Sequence, residues 1–115
     1  MDADRWRADH SFTERLVHAL EHPLPSARMM SILALKGRAD PDTAAALALC
    51  AHAFPTDVVQ GLEITRAIAA MPSSAWQREA ALRSLCLHNS RMVAEEAQRL
   101  LREDGREPPT RHWGP

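Results

Sequence analysis

Residues 44–52, AAALALCAH, and residues 80–88, AALRSLCLH, share two leading alanines, a leucine, a cysteine and a histidine. Both cysteines of the chain, Cys50 and Cys86, therefore lie in a Leu-Cys-x-His tetrapeptide, and the two copies begin thirty-six residues apart. Two hypotheses explain this pattern: a split metal site and a structural repeat. The choice between them decides whether an enzyme or a scaffold is expected.

The spacing within each copy disfavours the metal site. Successive residues of an α-helix turn by about 100°, so positions i and i+2 point roughly 200° apart, and one helix cannot offer both side chains to the same ion. A repeat is favoured, because each copy is followed by a turn and a second helix of similar length. Residues 40–71 and 73–103 are predicted to form two equivalent helical hairpins. In them the cysteine is a small core residue and the histidine lies at a helix end.

Prolines and capping residues divide the rest of the chain into pieces of helical length. The capping-box pattern SFTE predicts a helix that starts at Ser11, a second capping box predicts a start at Ser74, and Gly37 suits a left-handed helix cap. The third helix has almost no polar face, which predicts that it is buried in the middle of the domain. The predicted helices span residues 11–22, 26–36, 41–54, 57–71, a segment that begins at Ser74, and residues 90–103.

Composition and charge place the chain among soluble globular proteins. No segment alternates apolar and polar residues with β-branched enrichment, so an all-α fold of five to six short helices is predicted. A single domain is expected over residues 1–103, followed by a polar, proline-rich tail over residues 104–115. The formal net charge is -1 and the isoelectric point is near 6.6, so no global field attracts nucleic acid or anionic lipid. No signal peptide or membrane span is expected, and the predicted location is the cytoplasm.

The two hairpin segments resemble HEAT repeats of the short kind found in phycobilisome-lyase-like proteins. That family leads one to expect an aspartate-proline entry, then an arginine followed by small residues and a leucine. Asp40-Pro41 supplies the entry in the first unit, and Arg78-Glu79-Ala80-Ala81-Leu82 supplies the arginine block in the second. Neither unit has both features, since Asp42 stands where the first unit would carry its arginine. The resemblance covers residues 40–103 and implies a right-handed helical repeat that binds another protein; a closed helical bundle is the alternative.

Residues with catalytic or metal-binding chemistry do not form a recognised site. The glycines are isolated, so neither a phosphate loop nor a nucleophile elbow is present. Cys50 and Cys86 lack the basic neighbours that would hold a thiolate. Four residues on one face of the first helix could surround a metal, although a solvated polar face is the favoured interpretation: Glu14, His18, Glu21 and His22. The prediction is no catalytic residue, no metal and no cofactor.

The aromatic and arginine side chains carry the functional prediction, because tryptophan and arginine dominate protein interfaces. The predicted partner-binding residues are Trp76, Arg78, Arg83 and Trp113. For Trp76, packing against the preceding helix is the favoured interpretation and exposure to a partner is the alternative. The predicted function is a noncatalytic protein–protein interaction module of the adaptor, chaperone, immunity-protein or antitoxin kind, with a homodimer as an open alternative.

Nucleic-acid binding is the alternative function. It requires an arginine surface free of the neighbouring glutamates, with these side chains as phosphate contacts: Arg78, Arg83, Arg91 and Arg99. The interleaving of arginine with glutamate and aspartate along the last helix instead predicts a solvated, salt-bridged face.

Overall fold

Six α-helices make up the chain in a computed structural model that describes residues 2–110. They are α1 (Asp2–Ala19), α2 (Pro25–Arg38), α3 (Ala44–Ala53), α4 (Val58–Ala69), α5 (Trp76–Leu85) and α6 (Arg91–Glu103), with a 3₁₀ turn at Pro41–Thr43. No strand occurs within these residues, so the all-α prediction is confirmed. None of the helices between residues 2 and 110 has the length and apolar character needed to cross a membrane.

The first helix is longer than predicted. It starts at Asp2, nine residues before the predicted start at Ser11. Asp2 and Asp4 lie in its first turn, where carboxylates interact favourably with the positive end of the helix dipole. Ser11 therefore lies inside the helix and does not cap its start, and the Thr13 hydroxyl donates to the carbonyl of Asp9 at 3.0 Å within the continuing helix.

Two of the other predicted caps also need correction. Helix α2 continues through Gly37 and ends in Ala39, whose φ of 49° provides the left-handed cap. Helix α5 has Ala75 at its N-cap without a side-chain hydrogen bond, so Ser74 does not cap it. Helix α6 starts at Arg91, within one residue of the predicted start, and the Ser90 hydroxyl caps it by accepting from the backbone N–H of Val93 at 3.5 Å.

The helices form three consecutive hairpins, α1–α2, α3–α4 and α5–α6, which stack side by side. Helices α2, α4 and α6 pack next to one another in one row, and α3 packs against α5 in the other. A continuous apolar core runs between the rows and includes Leu20, Leu47, Ile64 and Leu82. Each hairpin thus buries its inner face against its neighbours, as in a helical-repeat protein.

The row of α2, α4 and α6 repeats its buried positions every 33 residues. The buried positions that correspond are Arg28, Gly61 and Ala94; Ser31, Ile64 and Ala97; Ile32, Thr65 and Gln98; and Leu35, Ile68 and Leu101. In the other row, Ala44, Leu47, Ala48 and Ala51 of α3 correspond to Arg78, Ala81, Leu82 and Leu85 of α5, at a spacing of 34. Helix α2, the second helix of the first hairpin, therefore follows the same repeat as α4 and α6.

The Leu-Cys-x-His tetrapeptides are not at equivalent positions of this repeat. Their spacing of thirty-six differs from the spacing of buried positions by two residues, which changes the face of the helix. Leu49 is accordingly 69% exposed, whereas Leu85 is fully buried. Both cysteines are buried, as predicted. Both histidines lie at or just after a helix end, but their burial differs, since His52 is exposed and His88 is fully buried.

A buried arginine ties the first hairpin to the second. Arg28 is 3% exposed; its Nε donates to Gln60 Oε1 at 2.6 Å and its Nη1 donates to the carbonyl of His22 at 2.8 Å. Its guanidinium carbon lies 3.6 Å from the centroid of the Phe54 ring, in cation–π geometry. These contacts fix the α1–α2 turn against the end of α3 and the start of α4.

The close packing of α4 on α6 gives a testable prediction at Gly61. A Cβ atom there would lie 2.7 Å from Cγ2 of Val93, a β-branched side chain with little rotamer freedom. We expect Gly61→Ala to lower the free energy of unfolding by about 1–3 kcal/mol, because overpacking outweighs the better helix propensity of alanine. Chemical denaturation followed by circular dichroism measures this change.

Gly37→Ala is the matched control for that experiment. Gly37 also lies inside a helix, but a Cβ there would meet nothing within 4 Å. This substitution is expected to stabilise the fold by about 0.5–1 kcal/mol. Equal effects of the two substitutions would contradict the close α4–α6 contact.

Candidate interaction surface

The outer surface of α3 and α5 exposes two large apolar side chains. Leu49 of α3 is 69% exposed and Trp76 at the start of α5 is 73% exposed. Helix α3 consists almost entirely of alanine and leucine, so the side that faces away from the core is apolar as well. Burying such side chains against a partner is favourable by about 1.5–3 kcal/mol for each fully buried large side chain. The predicted burial of the whole of α3 is therefore wrong for its outer side.

A groove separates these two side chains. It lies between α3 and α5 and has a volume of about 350 Å³. Leu49 and Trp76 form part of its walls. The alanines between them are Ala45, Ala48, Ala80 and Ala81. His52 and Ser84 close one end. The groove can accept apolar side chains because its walls offer methyl groups and one indole ring.

A second groove lies on the other side of Leu49, between α1 and α3. Its volume is also about 350 Å³, and its lining includes Val17, Leu20, Ala46 and Phe54. Leu49 lines both grooves, so its side chain forms the ridge between them. We call the two grooves together with Leu49 and Trp76 the apolar face.

The four predicted partner-binding residues have different environments. Trp76 is exposed and lines the α3–α5 groove, so it does not act as the staple that was favoured for it. Arg83 is half-exposed, and its Nε donates to Glu79 at 2.9 Å. Trp113 lies outside the described residues.

Arg78 lies inside the molecule. It is 5% exposed and forms a salt bridge with Asp104, and its Nε donates to the carbonyl of Ala69 at 3.4 Å. These contacts connect the start of α5 with the end of α4 and with the residue that follows α6. Arg78 is therefore a structural ion-pair residue, and we exclude it from the surface that a partner would contact.

His52 and Ser84 form a side-chain pair at the end of the α3–α5 groove. His52 Nε2 lies 2.9 Å from Ser84 Oγ, within hydrogen-bond distance. Burial lowers the pKa of His52, the neighbouring His88 lowers it further, and the contact with Ser84 opposes this shift. The ring is therefore neutral at neutral pH. Ser84 lies in the last turn of α5, at the negative end of the helix dipole, which disfavours a developing oxyanion beside it.

The cysteines and histidines of the two tetrapeptides do not converge as ligands of a common metal ion; Cys50 and His88 form hydrogen-bond contacts with backbone carbonyls. The Cys50 thiol donates to the carbonyl of Leu20 at 3.4 Å, and Nε2 of His88 lies 2.8 Å from the carbonyl oxygen of Ala51. Burial raises the pKa of Cys50 and raises that of Cys86 to about 11, so both thiols stay protonated. Between residues 2 and 110, no three or more histidine, cysteine or acidic side chains converge as metal ligands, including those of α1.

The arginines of the alternative function are largely paired with carboxylates. Besides the buried Arg78 and the paired Arg83, Arg99 contacts both Glu96 and Glu103. The hydrogen bond from Arg99 is the main cause of a lowered pKa at Glu96. This arrangement agrees with the predicted salt-bridged face of the last helix and lowers the positive potential available to a phosphate backbone.

The sequence did not identify Leu49 as a surface residue, because the Leu-Cys-x-His tetrapeptide was interpreted as part of the buried repeat. A better indication was available in α3 itself, since a helix of ten residues with only one polar residue, His52, must expose apolar side chains unless it is covered on every side. Comparisons with protein-family models, with curated proteins and with solved structures gave no match to this chain.

Proposed function

We propose that this protein is a noncatalytic protein–protein interaction module whose binding surface is the apolar face of α3 and α5. The observation that carries the proposal is the exposure of Leu49 and Trp76 on either side of a groove. Interface hot spots are typically large side chains, tryptophan above all, next to pockets that exclude water. Adaptors, chaperones and immunity or antitoxin proteins all work by such binding, and the HEAT-like resemblance points to the same class.

The mode of binding follows from the stacked hairpins. Leu49 and Trp76 lie on two different helices of one row, and the distance between them is fixed by the packed core beneath. A partner would therefore meet a preformed surface and lose little affinity to ordering of the receptor. The partner supplies the apolar side chains that fill the groove.

A double substitution tests the proposal. Leu49→Ser with Trp76→Ser removes both apolar side chains without touching the core, and we expect at least a hundredfold loss of affinity for the partner. The tagged protein is used to capture its partner from native lysate in high salt, and the affinity of the purified partner is then measured by calorimetry. Circular dichroism checks that the variant keeps its helices.

The control is Met30→Ser with Met92→Ser. These methionines are 73% and 61% exposed, and they belong to the row of α2, α4 and α6. The two substitutions remove a similar apolar area from a different face and are expected to leave the affinity for the partner unchanged. An equal loss of affinity in both variants would contradict the assignment of the apolar face as the binding surface. Recovery of nucleic acid alone, released by added salt, would favour the alternative function.

A further inference from the structure

The apolar face continues into an acidic cleft between α1 and the start of α3. Val17 and Glu21 line both the α1–α3 groove and this cleft, so the two depressions share a wall. The cleft has a volume of about 370 Å³. Its lining contains four carboxylates, Glu14, Glu21, Asp40 and Asp42, and neither lysine nor arginine.

These four carboxylates form no ion pair with lysine or arginine within the part of the chain that the structure describes. Glu14 lies 2.8 Å from His10 and Glu21 lies 3.8 Å from His18, and histidine is a cation only when it is protonated.

The two aspartates have neutral partners. Asp40 accepts from the backbone N–H of Asp42 at 3.0 Å, and Asp42 accepts from the side-chain amide of Gln77 at 3.3 Å.

Several carboxylates elsewhere on the molecule are instead neutralised by lysine or arginine. Glu63 contacts Lys36 and Arg66, Glu79 contacts Arg83 and Arg106, and Glu96 contacts Arg66 and Arg99. Four carboxylates without a lysine or arginine partner thus lie together beside the apolar face, although the net charge of the chain is only -1. Such a field attracts cations from the partner and accelerates their encounter.

We propose that the apolar face and the acidic cleft together bind a basic amphipathic segment of a partner protein. Apolar side chains of the segment fill the grooves on the two sides of Leu49, and lysine or arginine side chains enter the cleft beside Glu14, Glu21 and Asp42. The shared walls allow one continuous segment to occupy both regions, as an amphipathic helix does in a hydrophobic groove. This inference rests on the proposed function and specifies the chemistry of its partner.

A displayed peptide library tests the inference. The peptides carry leucine at positions i, i+3, i+4 and i+7 of a helix, and the remaining positions are randomised. They are selected on the whole protein and counter-selected on the Leu49→Ser, Trp76→Ser variant. We expect the selected peptides to be rich in lysine and arginine and to bind at least tenfold more tightly than twins in which those residues are glutamate.

A charge variant then assigns this preference to the cleft. Glu14→Gln, Glu21→Gln and Asp42→Asn remove three carboxylates and keep Asp40, which caps the 3₁₀ turn. The preference for the basic peptide is expected to fall at least fivefold. The control Asp2→Asn, Glu95→Gln and Glu107→Gln removes three carboxylates that do not line the cleft and should leave the preference intact.

The possible failures are distinguishable. Selected peptides that need Leu49 and Trp76 but carry no basic residues would overturn the inference and leave the proposed function standing. Failure to select any peptide that depends on Leu49 and Trp76 would overturn both. A dimer in analytical ultracentrifugation that dissociates in the Leu49→Ser, Trp76→Ser variant would identify a second copy as the occupant and also overturn the inference.

Discussion

Asp104→Ala is expected to lower the free energy of unfolding by about 3 kcal/mol, because it leaves the buried guanidinium of Arg78 without its carboxylate partner. The Arg78 side chain is only 6% exposed, so water cannot replace the lost ion pair. The substitution also loosens the contact between the end of α6 and the start of α5. Urea denaturation followed by circular dichroism measures the change, with a constant slope as the check on two-state unfolding.

Glu103→Ala is the matched control next to it in the chain. Its carboxylate contacts Arg99, but both side chains are more than half exposed, so solvent screens the pair. We expect almost no shift of the denaturation midpoint. If Asp104→Ala and Glu103→Ala had the same small effect, Arg78 would be hydrated, and the assignment of Arg78 as a structural residue would fail.

His88→Ala is expected to have an effect of similar size, about 3 kcal/mol, because it removes a fully buried ring and two of its hydrogen bonds. Nε2 of His88 lies 2.8 Å from the Ala51 carbonyl, and Nδ1 accepts from the backbone N–H of Ser90 at 2.9 Å. The neutral ring protonated on Nε2 satisfies both contacts. Its loss leaves a buried carbonyl without a donor at the junction of the second and third hairpins.

Two further substitutions separate the contributions at this position. His88→Gln can still donate an amide N–H to the Ala51 carbonyl but has no acceptor at the position of the ring Nδ1, so an intermediate loss is expected. His52→Ala removes the exposed histidine of the other tetrapeptide and should cost about 0.5 kcal/mol or less. Thermal unfolding of the three variants gives the ranking. A larger effect of His52→Ala than of His88→Ala would contradict the different burial of the two histidines.

Local sequence features predicted the start of a helix well in some cases and failed in others. Helix α6 begins within one residue of the predicted start, and the Ser90 hydroxyl caps it. The SFTE pattern failed because a capping box describes both a helix start and ordinary helix interior, and only the residues before it distinguish them. Likewise, Ala39 carries the left-handed cap although Gly37 is nearby.

Long-range features were less accessible. The repeat was predicted from the Leu-Cys-x-His pair, but its true register is set by which positions are buried, and sequence identity at Cys50 and Cys86 concealed the two-residue difference. Arg78 was predicted to face a partner because the sequence does not show that Asp104, beyond the end of α6, returns to meet it. Trp76 lies in the first turn of α5, as predicted, and is exposed, but its neighbour across the groove, Leu49, is identified only by the packing of α3 against α5.

The regular spacing of buried positions along α2, α4 and α6 also bears on how the chain can evolve. Duplication of a 33-residue segment from one N-cap to the next, Asp57 to Asn89, would add a complete helical hairpin in which every inward-facing position stays inward. The length of the molecule can therefore change in whole units while its two end hairpins, and the charges they carry, are inherited unchanged.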